Sequence, residues 1–283
     1  MTATTEFLSA LAAQDAMLVT VQSHRGSVPR EAGAWMAVFA QRQIGTVGGG
    51  HLEWQAAQEA RRLLHQGAGV VVGSFRRYVL GPSLGQCCGG EVTLSFEPVQ
   101  AKDVPQLTQR LAQLASSWPQ VVLFGGGHVG CALVNVLATL PLHLQWIDSR
   151  DEIFPEALPT QVVCEYSQPV HAAVPGLSPD AFVLVMSFSH AEDLDVVAAC
   201  LQRQRAQGDL AFIGLIGSQT KWASFRSRLQ KQGFTEPELA QVTCPIGLAG
   251  IGGKEPAVIA VAVAAQLLRR MEQAKVRKGS PSD

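Results

Sequence analysis

The second half of the chain alternates between short apolar runs and longer segments with hydrophobic residues at helical spacing. The apolar runs predict five strands, at 121–125, 143–150, 161–166, 181–187 and 211–217. The other segments predict helices at 127–140, 193–204 and 221–232, and a last helix from about Pro256 to Met271. Strands alternating with helices of this length are typical of an α/β fold with a parallel sheet. We therefore predict a C-terminal, Rossmann-like domain with a doubly wound parallel sheet over 121–283.

The first part of the chain has a different pattern, in which short strand-like runs surround one amphipathic helix. The predicted strands are Met17–Gln22, Trp35–Ala40, Val70–Phe75 and Glu91–Phe96. The helix covers 51–66, where apolar residues recur at helical spacing. This pattern predicts a smaller α+β domain over 1–97, followed by a helical linker over 98–120. The polar end of the chain, QAKVRKGSPSD, predicts a frayed tail.

Composition and charge narrow the classes of partner. The formal net charge of the 283 residues is −1, so bulk electrostatics favour neither nucleic acid nor an anionic membrane. Only 16% of the residues are charged, which favours a large buried area and a homodimer. We expect neither a secretory signal nor a membrane span, because no basic region precedes an apolar core and no long apolar run occurs. The six cysteines lack the spacing of a disulfide framework, which predicts a cytoplasmic protein with reduced thiols.

Gly125, Gly127 and Gly130 form a G-x-G-x-x-G motif directly after an apolar strand and directly before a helix. In dinucleotide-binding folds such glycines let the backbone approach a phosphate, and an acid at the end of the next strand binds ribose hydroxyls. Asp148 has that position here. The helix N-terminus adds free N–H groups for an anion. We expect a ligand at this turn, and His128 either contacts that ligand or only caps the turn. A Rossmann-like turn without a ligand is the alternative.

Polar side chains follow the next two strands of the predicted sheet. They are Ser187, Ser189, His190, Asp193, Ser218 and Lys221. Ligands of open α/β sheets bind beyond the carboxyl ends of the strands, so we expect these groups to converge on the glycine turn. Lys221 is the favoured phosphate ligand, whereas Arg226–Lys231 is interpreted as a solvated helix face.

Cys87 and Cys88 are adjacent in the glycine-flanked run GQCCGG. Adjacent cysteines are poor ligands for one tetrahedral zinc ion, and a disulfide between them is strained. Soft thiolates suit a thiophilic metal centre or sulfur transfer, whereas two small buried side chains are the alternative. Cys131, Cys164 and Cys200 are predicted to lie in the core.

A second glycine run, GTVGGGHLEW, precedes the N-terminal helix. Free N–H groups at such a run form a second candidate anion cradle, which Arg25 and Arg30 would complement. Tight turns alone also require glycine runs, so this motif has two interpretations.

Seven blocks follow one another along the chain: GSVPREAG, GTVGGGHLE, GQCCGG, FGGGHVG, SFSHAEDLD, GLIGSQTKWASF and CPIGLAGIGGKEPAVIAVAVAAQLL. In this order they resemble the xanthine dehydrogenase accessory protein family, XdhC. The resemblance extends from about Val19 to Leu268. One block departs from the pattern, because many relatives have Pro-x-Glu-Ile-Ala where this chain has PAVIA at 256–260, with Glu255 close by.

The resemblance implies a cytoplasmic chaperone for the molybdenum cofactor (molybdopterin) and not an enzyme. Such a protein binds and protects the cofactor while a cysteine desulfurase sulfurates it, and delivers it to the molybdenum subunit of xanthine dehydrogenase. By this resemblance Cys87 and Cys88 lie near molybdenum or its sulfido ligand. The resemblance also assigns to the site the turn residues Gly125, Gly127, His128 and Gly130, and the strand-end residues His190, Asp193, Ser218 and Lys221.

Two functions from other classes fit parts of the sequence. One is an NAD(P)-dependent oxidoreductase with the nucleotide at Gly125–Gly130 and Asp148 on the ribose, which would favour NAD over NADP. The other is a sulfur-transferring protein in which Cys87 or Cys88 carries a persulfide. The cysteine doublet and the lack of an obvious hydride-acceptor pocket favour the cofactor chaperone.

Overall fold

A computed structural model describes residues 3–66, 74–81, 89–159 and 161–279, without the side chains of 277–279. Cys87 and Cys88 lie outside the described residues. The chain divides into two compact units, Met1–Ser117 and Trp118–Asp283. Within the described ranges, no helix combines the length and the apolar character needed to cross a bilayer.

The first unit is built around an antiparallel sheet with the strand order β3-β2-β1-β5-β4. Its strands are β1 (Ala16–Arg25), β2 (Trp35–Val38), β3 (Gln43–Gly45), β4 (Ser74–Val79) and β5 (Glu91–Val99). Its helices are α1 (Ala3–Leu11), α2 (Gly50–Gln66) and α3 (Val104–Ala115). β4 contains Ser74 and Phe75 of the predicted strand Val70–Phe75, and residues 70–73 lie outside the described residues. The sequence pattern predicts neither α1 nor β3.

Both faces of this sheet are covered, because alternate residues of β1 point to opposite sides. Met17 and Val19 pack against α2. Leu18 packs on the other side against α1 and α3, where Leu107 and Leu111 of α3 are buried. The helix that the sequence places in a linker over 98–120 thus contributes to the core of the first unit, since its apolar stripe needs a surface to cover.

The second unit contains six parallel strands in the order β11-β10-β9-β6-β7-β8. The strands are β6 (Gln120–Phe124), β7 (His143–Asp148), β8 (Val162–Tyr166), β9 (Phe182–Val185), β10 (Phe212–Leu215) and β11 (Val242–Thr243). The helices are α4 (His128–Leu137), α5 (His190–Gln207), α6 (Gln219–Lys231), α7 (Glu236–Leu239) and α8 (Pro256–Gly279). This arrangement confirms the predicted α/β fold with a Rossmann-type parallel sheet.

Helices cover both faces of the second sheet. Val122 and Phe124 of β6 pack against α5 and α6. Val121 and Leu123 face the other side, against α4 and α8. The chain moves from β6 outward to β7 and then returns to β9 on the other side of β6. The strand order therefore reverses beside β6, and the carboxyl ends of β6 and β9 border the crevice where open α/β sheets bind ligands.

The last helix is longer than the sequence pattern predicts. The apolar periodicity ends near Met271, but α8 continues to Gly279 through residues that were expected to fray. Lysine, arginine, glutamine and alanine are good helix formers, and a helix that is already nucleated extends through them at little cost.

Candidate functional site

The glycine turn lies between β6 and α4, against the loop that follows β9. Gly125 has φ +114° and a side chain there would overlap the carbonyl oxygen of Met186. A side chain at Gly130 would overlap the carbonyl oxygen of Gly125. Trp146 of β7 donates its indole N–H to that same oxygen at 3.1 Å. Both glycines are therefore required by backbone packing at the point where the strand order reverses.

Gly127 differs from its neighbours because it faces open space. Apart from Gly127 itself and its adjoining residues, no atom of the described part of the chain lies within 4 Å of the position that its Cβ would occupy. It is the N-cap of α4 and supplies no side-chain cap, so the first N–H groups of the helix are not satisfied in that way. His128, the first residue of α4, is exposed beside it. Ser187 adds a buried hydroxyl without a hydrogen-bond partner among the described residues.

Asp148 is almost completely buried, with 1% of its surface exposed. Its Oδ2 accepts the Gly126 N–H at 2.6 Å and Nη2 of Arg150 at 3.0 Å. Its Oδ1 accepts the backbone N–H and Nε of Arg150, both at 2.9 Å. A carboxylate has about four lone-pair sites, and these four bonds occupy them. The carboxylate that the sequence assigns to ribose hydroxyls thus holds the glycine turn and one arginine.

Arg150 and Phe188 connect the loop after β7 to the loop after β9. The guanidinium Cζ lies 4.4 Å from the centroid of the Phe188 ring, and Phe188 is 66% exposed. Ser149 donates its hydroxyl to Glu192 at 2.7 Å, and the Phe188 N–H donates to the same carboxylate at 3.1 Å. Hydrogen bonding to Asp148 raises the pKa of Arg150 further, so the guanidinium is charged at any physiological pH.

Lys221 lies in a buried ion pair with Asp193. Its Nζ donates to Oδ2 of Asp193 at 2.6 Å and to the carbonyl oxygen of Ile216 at 2.9 Å. The two side chains are only 11% and 3% exposed. Burial raises the pKa of Asp193 even though Lys221 and the Ser187 N–H, 2.7 Å away, act to lower it. The charge that the sequence assigns to a ligand phosphate is therefore largely used inside the protein.

Ser189, Ser218 and His190 mark the starts of the two following helices. Ser189 caps α5 by accepting the Glu192 N–H at 3.2 Å, and Ser218 caps α6 by accepting the Lys221 N–H at 3.1 Å. His190 is exposed, and its ring contacts that of Phe225 edge-on with the centroids 6.3 Å apart. The two serines thus have structural partners, whereas the exposed imidazole is accessible from solvent.

In the first unit the second glycine run surrounds a carboxylate of the protein itself. Oε2 of Glu53 accepts the Val47 and Gly49 N–H groups, each at 3.1 Å, and also the Thr46 hydroxyl. Oε1 accepts the Gln43 side-chain amide at 2.8 Å. Burial acts to raise the pKa of Glu53, but these hydrogen bonds outweigh it and hold the pKa below its usual value. The predicted anion cradle is real in geometry, and its anion is Glu53.

Two family models match the chain in the order of its two units. Residues 10–76 match the XdhC and CoxI family. Residues 121–267, more than half of the chain, match the XdhC Rossmann domain. The chain belongs to the XdhC family.

The relatives of this XdhC chain include a longer protein and a solved structure. The uncharacterized Escherichia coli (strain K12) protein YqeB is 26% identical over 256 residues, which cover 89% of this chain and 43% of YqeB. The chain therefore spans less than half the length of this curated relative. The crystal structure of a xanthine dehydrogenase from Bacillus halodurans is 20% identical and superposes with a TM-score of 0.75, covering 99% of this chain and 98% of that one. At this identity the likeness shows a shared fold.

Burial disfavours the thiolate form of three cysteines that the structure of this XdhC chain describes. Burial raises the pKa of Cys200 to about 12 and that of Cys244 to about 11. Burial also raises the pKa of Cys164, and the Cys131 thiol donates to the Gly126 carbonyl oxygen at 3.3 Å. Among the described residues, no group of three or more His, Cys, Asp or Glu side chains is placed to hold a metal ion. The roles of Cys87 and Cys88 stay predictions.

Sequence reasoning missed Arg150, Phe188 and Glu53 of this XdhC chain. Arg150 follows the acid of the dinucleotide motif by two positions, so the D-x-R spacing was an available signal. An aromatic residue between two serines at a strand end, as in Ser187-Phe188-Ser189, was a second one. Glu53 lies four residues after Gly49, at the spacing that lets a first-turn carboxylate bond back to the preceding N–H groups.

Proposed function

We propose that the chain binds the molybdenum cofactor, protects it during sulfuration by a cysteine desulfurase and delivers it to the molybdenum subunit of xanthine dehydrogenase. Membership of the XdhC family supports a role in xanthine dehydrogenase maturation. In this proposal the protein is a cytoplasmic insertion chaperone that works as a homodimer, and the cofactor is its cargo.

The observation that carries the proposal is the open, preformed turn at Gly127. The turn ends in a helix N-terminus without a side-chain cap, and such ends bind phosphate groups through N–H donors and the helix dipole. Molybdopterin carries a phosphate that fits this chemistry. The buried, unpartnered hydroxyl of Ser187 lies on the loop that packs against Gly125 and adds a polar group to the same edge.

The use of Asp148 disfavours a nicotinamide dinucleotide as the ligand. A ribose hydroxyl would need a free acceptor on Asp148, and Gly126 and Arg150 occupy all four lone-pair sites. Opening one of these bonds leaves a buried donor unsatisfied, at a cost of about 1–3 kcal/mol. The structure therefore favours a ligand that binds the helix N-terminus without drawing on the acid.

Substitution at Gly127 provides a direct test. Gly127 has φ −69° and open space at its Cβ, so aspartate fits and caps α4 with a carboxylate at the proposed phosphate position. We expect Gly127→Asp to keep or raise Tm while weakening binding of isolated molybdenum cofactor by at least about thirtyfold, measured by calorimetry. Gly127→Ala is the matched control and should bind within about threefold of the wild type.

Delivery is tested by reconstituting cofactor-free xanthine dehydrogenase with loaded protein and measuring urate formation. Wild-type protein should restore activity, and Gly127→Asp protein should not. Calorimetry with NAD(H) runs in parallel. Tight binding of NAD(H) without binding of the molybdenum cofactor would overturn the proposal and favour a nucleotide-dependent oxidoreductase.

A further inference from the structure

Phe188 is an exposed aromatic side chain at the carboxyl end of the second sheet. The residue is 66% exposed, although it lies only three positions after β9, whose residues are all buried. The Arg150 guanidinium lies over the ring at 4.4 Å. Exposed aromatic faces beside an arginine are the surfaces on which proteins stack heteroaromatic rings.

Four hydrogen bonds hold Arg150 and Phe188 in place. Asp148 grips the Arg150 guanidinium by two bonds of 2.9 and 3.0 Å. Glu192 accepts the Phe188 N–H at 3.1 Å and the Ser149 hydroxyl at 2.7 Å, which ties the two loops together. Because the two side chains are already ordered, little conformational entropy is lost when a ligand ring binds to them.

The charge around Arg150 indicates which part of a ligand it contacts. Asp148, Glu192 and Glu152 all act electrostatically on the guanidinium. Three carboxylates against one cation disfavour a phosphate at this position. They favour an uncharged ring that carries N–H donors, and the phosphate then goes to the helix N-terminus at Gly127.

We propose that the ring of the bound ligand, a planar fused aminopyrimidine such as a pterin, stacks on the pair formed by Arg150 and Phe188. The inference rests on the proposed function, because it names the part of the site that holds the pterin of the cofactor. A purine has the same ring chemistry, so the experiment compares a pterin with a purine nucleotide as the ligand that supplies the ring. Asp148 is a positioning residue that acts through Arg150 and does not touch the ring.

The test is to titrate the full chain with 6-hydroxymethylpterin, adenosine monophosphate and molybdenum cofactor, using pterin fluorescence and calorimetry. Stacking on one aromatic platform is worth about 1.4 kcal/mol, so we expect Phe188→Leu and Arg150→Lys each to weaken pterin binding about tenfold. Phe188→Trp keeps the aromatic face and should bind within about twofold. The affinity for the uncharged pterin should not change with salt concentration.

The chain supplies a matched control in Arg205. Its guanidinium lies 4.9 Å from the Phe234 ring and binds both oxygens of Glu238, which reproduces the arrangement away from this edge. Arg205→Lys should leave binding of all three ligands unchanged. Thermal unfolding of each variant separates loss of binding from loss of fold.

The outcomes separate this inference from the proposed function. We call the surface formed by Arg150 and Phe188 the platform. If molybdenum cofactor binds and both Arg150→Lys and Phe188→Leu bind it like the wild type, the platform is refuted and the proposed function stands. If only adenosine monophosphate binds, and does so through the pair, the platform stands and the proposed function fails. Binding of none of the three ligands refutes both.

Discussion

The carboxylate of Asp148 and the guanidinium of Arg150, two positions apart in sequence, form a bidentate ion pair at the end of β7. The acid is 1% exposed and the arginine 25%. The same carboxylate holds the Gly126 N–H, so the pair fixes the glycine turn and presents a planar cation at the surface. A residue type that signals ribose binding in sequence is here part of the scaffold of the site.

Breaking this pair should destabilise the second unit. In Arg150→Gln the buried Asp148 carboxylate keeps only two donors, the backbone N–H groups of residues 126 and 150. We expect the free energy of unfolding to fall by about 2 kcal/mol. Asp148→Asn should cost a similar amount. Because both substitutions break the same interaction, the double variant should lose clearly less stability than the sum of the two single losses, measured by urea unfolding. Additive losses would show that the two side chains are not coupled.

Gly125 and Gly127 should respond differently to the same substitution. Gly125→Ala adds a Cβ that overlaps the Met186 carbonyl at φ +114°, and we expect Tm to fall by about 10 °C or the protein not to fold. At Gly127 an added Cβ has open space among the residues that the structure describes, so Gly127→Ala should change Tm by less than about 2 °C. Equal shifts in calorimetric scans would contradict the described turn.

Removing Lys221 should expose the cost of burying Asp193. Lys221→Met leaves that carboxylate without its cation, and we expect a loss of about 3 kcal/mol at neutral pH. Burial raises the pKa of Asp193 in the fold, so its proton is bound more tightly in the folded state. Stability linked to this proton is present below the unfolded pKa and is lost as pH rises through the folded pKa.

The loss of unfolding free energy in Lys221→Met, relative to the wild type, should therefore become smaller as the pH is lowered, because Asp193 becomes neutral. Urea unfolding at several pH values measures it. The double variant Lys221→Met with Asp193→Asn is the control and should recover much of the loss at neutral pH. A deficit that does not depend on pH would mean that lost packing of the lysine stem, and not the buried charge, is responsible.

Glu53 should stabilise the first unit in a pH-dependent way. Glu53→Gln removes the anion from the loop at 46–49 and should cost about 2 kcal/mol at pH 7. The pKa of Glu53 is lowered from 4.5, so its contribution is present above the unfolded pKa and is lost as pH falls through the folded pKa. The difference in Tm between variant and wild type should thus narrow in acid.

The matched control is Glu59→Gln on the same helix. Glu59 pairs with Arg62, whose side chain is 51% exposed, and such surface pairs contribute little. Its effect on Tm should be several times smaller at pH 7. An equal effect of the two substitutions would remove the special role of the glycine loop.

Cys87→Ser and Cys88→Ser test the predicted thiols. If a thiolate contacts molybdenum or its sulfido ligand, at least one variant should bind molybdenum cofactor about tenfold more weakly, since an alcohol is a poor ligand for a soft centre. Cys244→Ser is the control, because burial raises the pKa of Cys244 to about 11 and keeps it a thiol. Wild-type affinity in both Cys87→Ser and Cys88→Ser would refute the assignment.

The sequence predicts the second unit well because its information is local. Apolar runs, helical spacing and the Gly125–Gly130 motif each specify a strand, a helix or a turn within a few residues. The partners of Asp148 and Lys221 were not predictable in this way. Whether Asp148 bonds a ligand or its own loop depends on the orientation of Arg150 and Gly126. Lys221 and Asp193 are 28 positions apart in sequence and lie on two different helices.

The first unit shows the same limit at the level of elements. α1 is short, and a helix of that length forms through packing more than through propensity, so its pattern alone gave no prediction. The role of α3 depended on whether Leu107 and Leu111 would find a sheet to cover, which is a tertiary fact.

The carboxylate inside the glycine loop also bears on how the N-terminal unit assembles. Glu53 lies on the first turn of α2, and the residues that it binds connect back to β3. The N–H groups of the loop have no carboxylate to bond until the first turn of α2 forms. That helical turn is itself not held next to β3 until the loop closes around Glu53. Strand end, loop and helix start therefore gain and lose order together, as one cooperative segment.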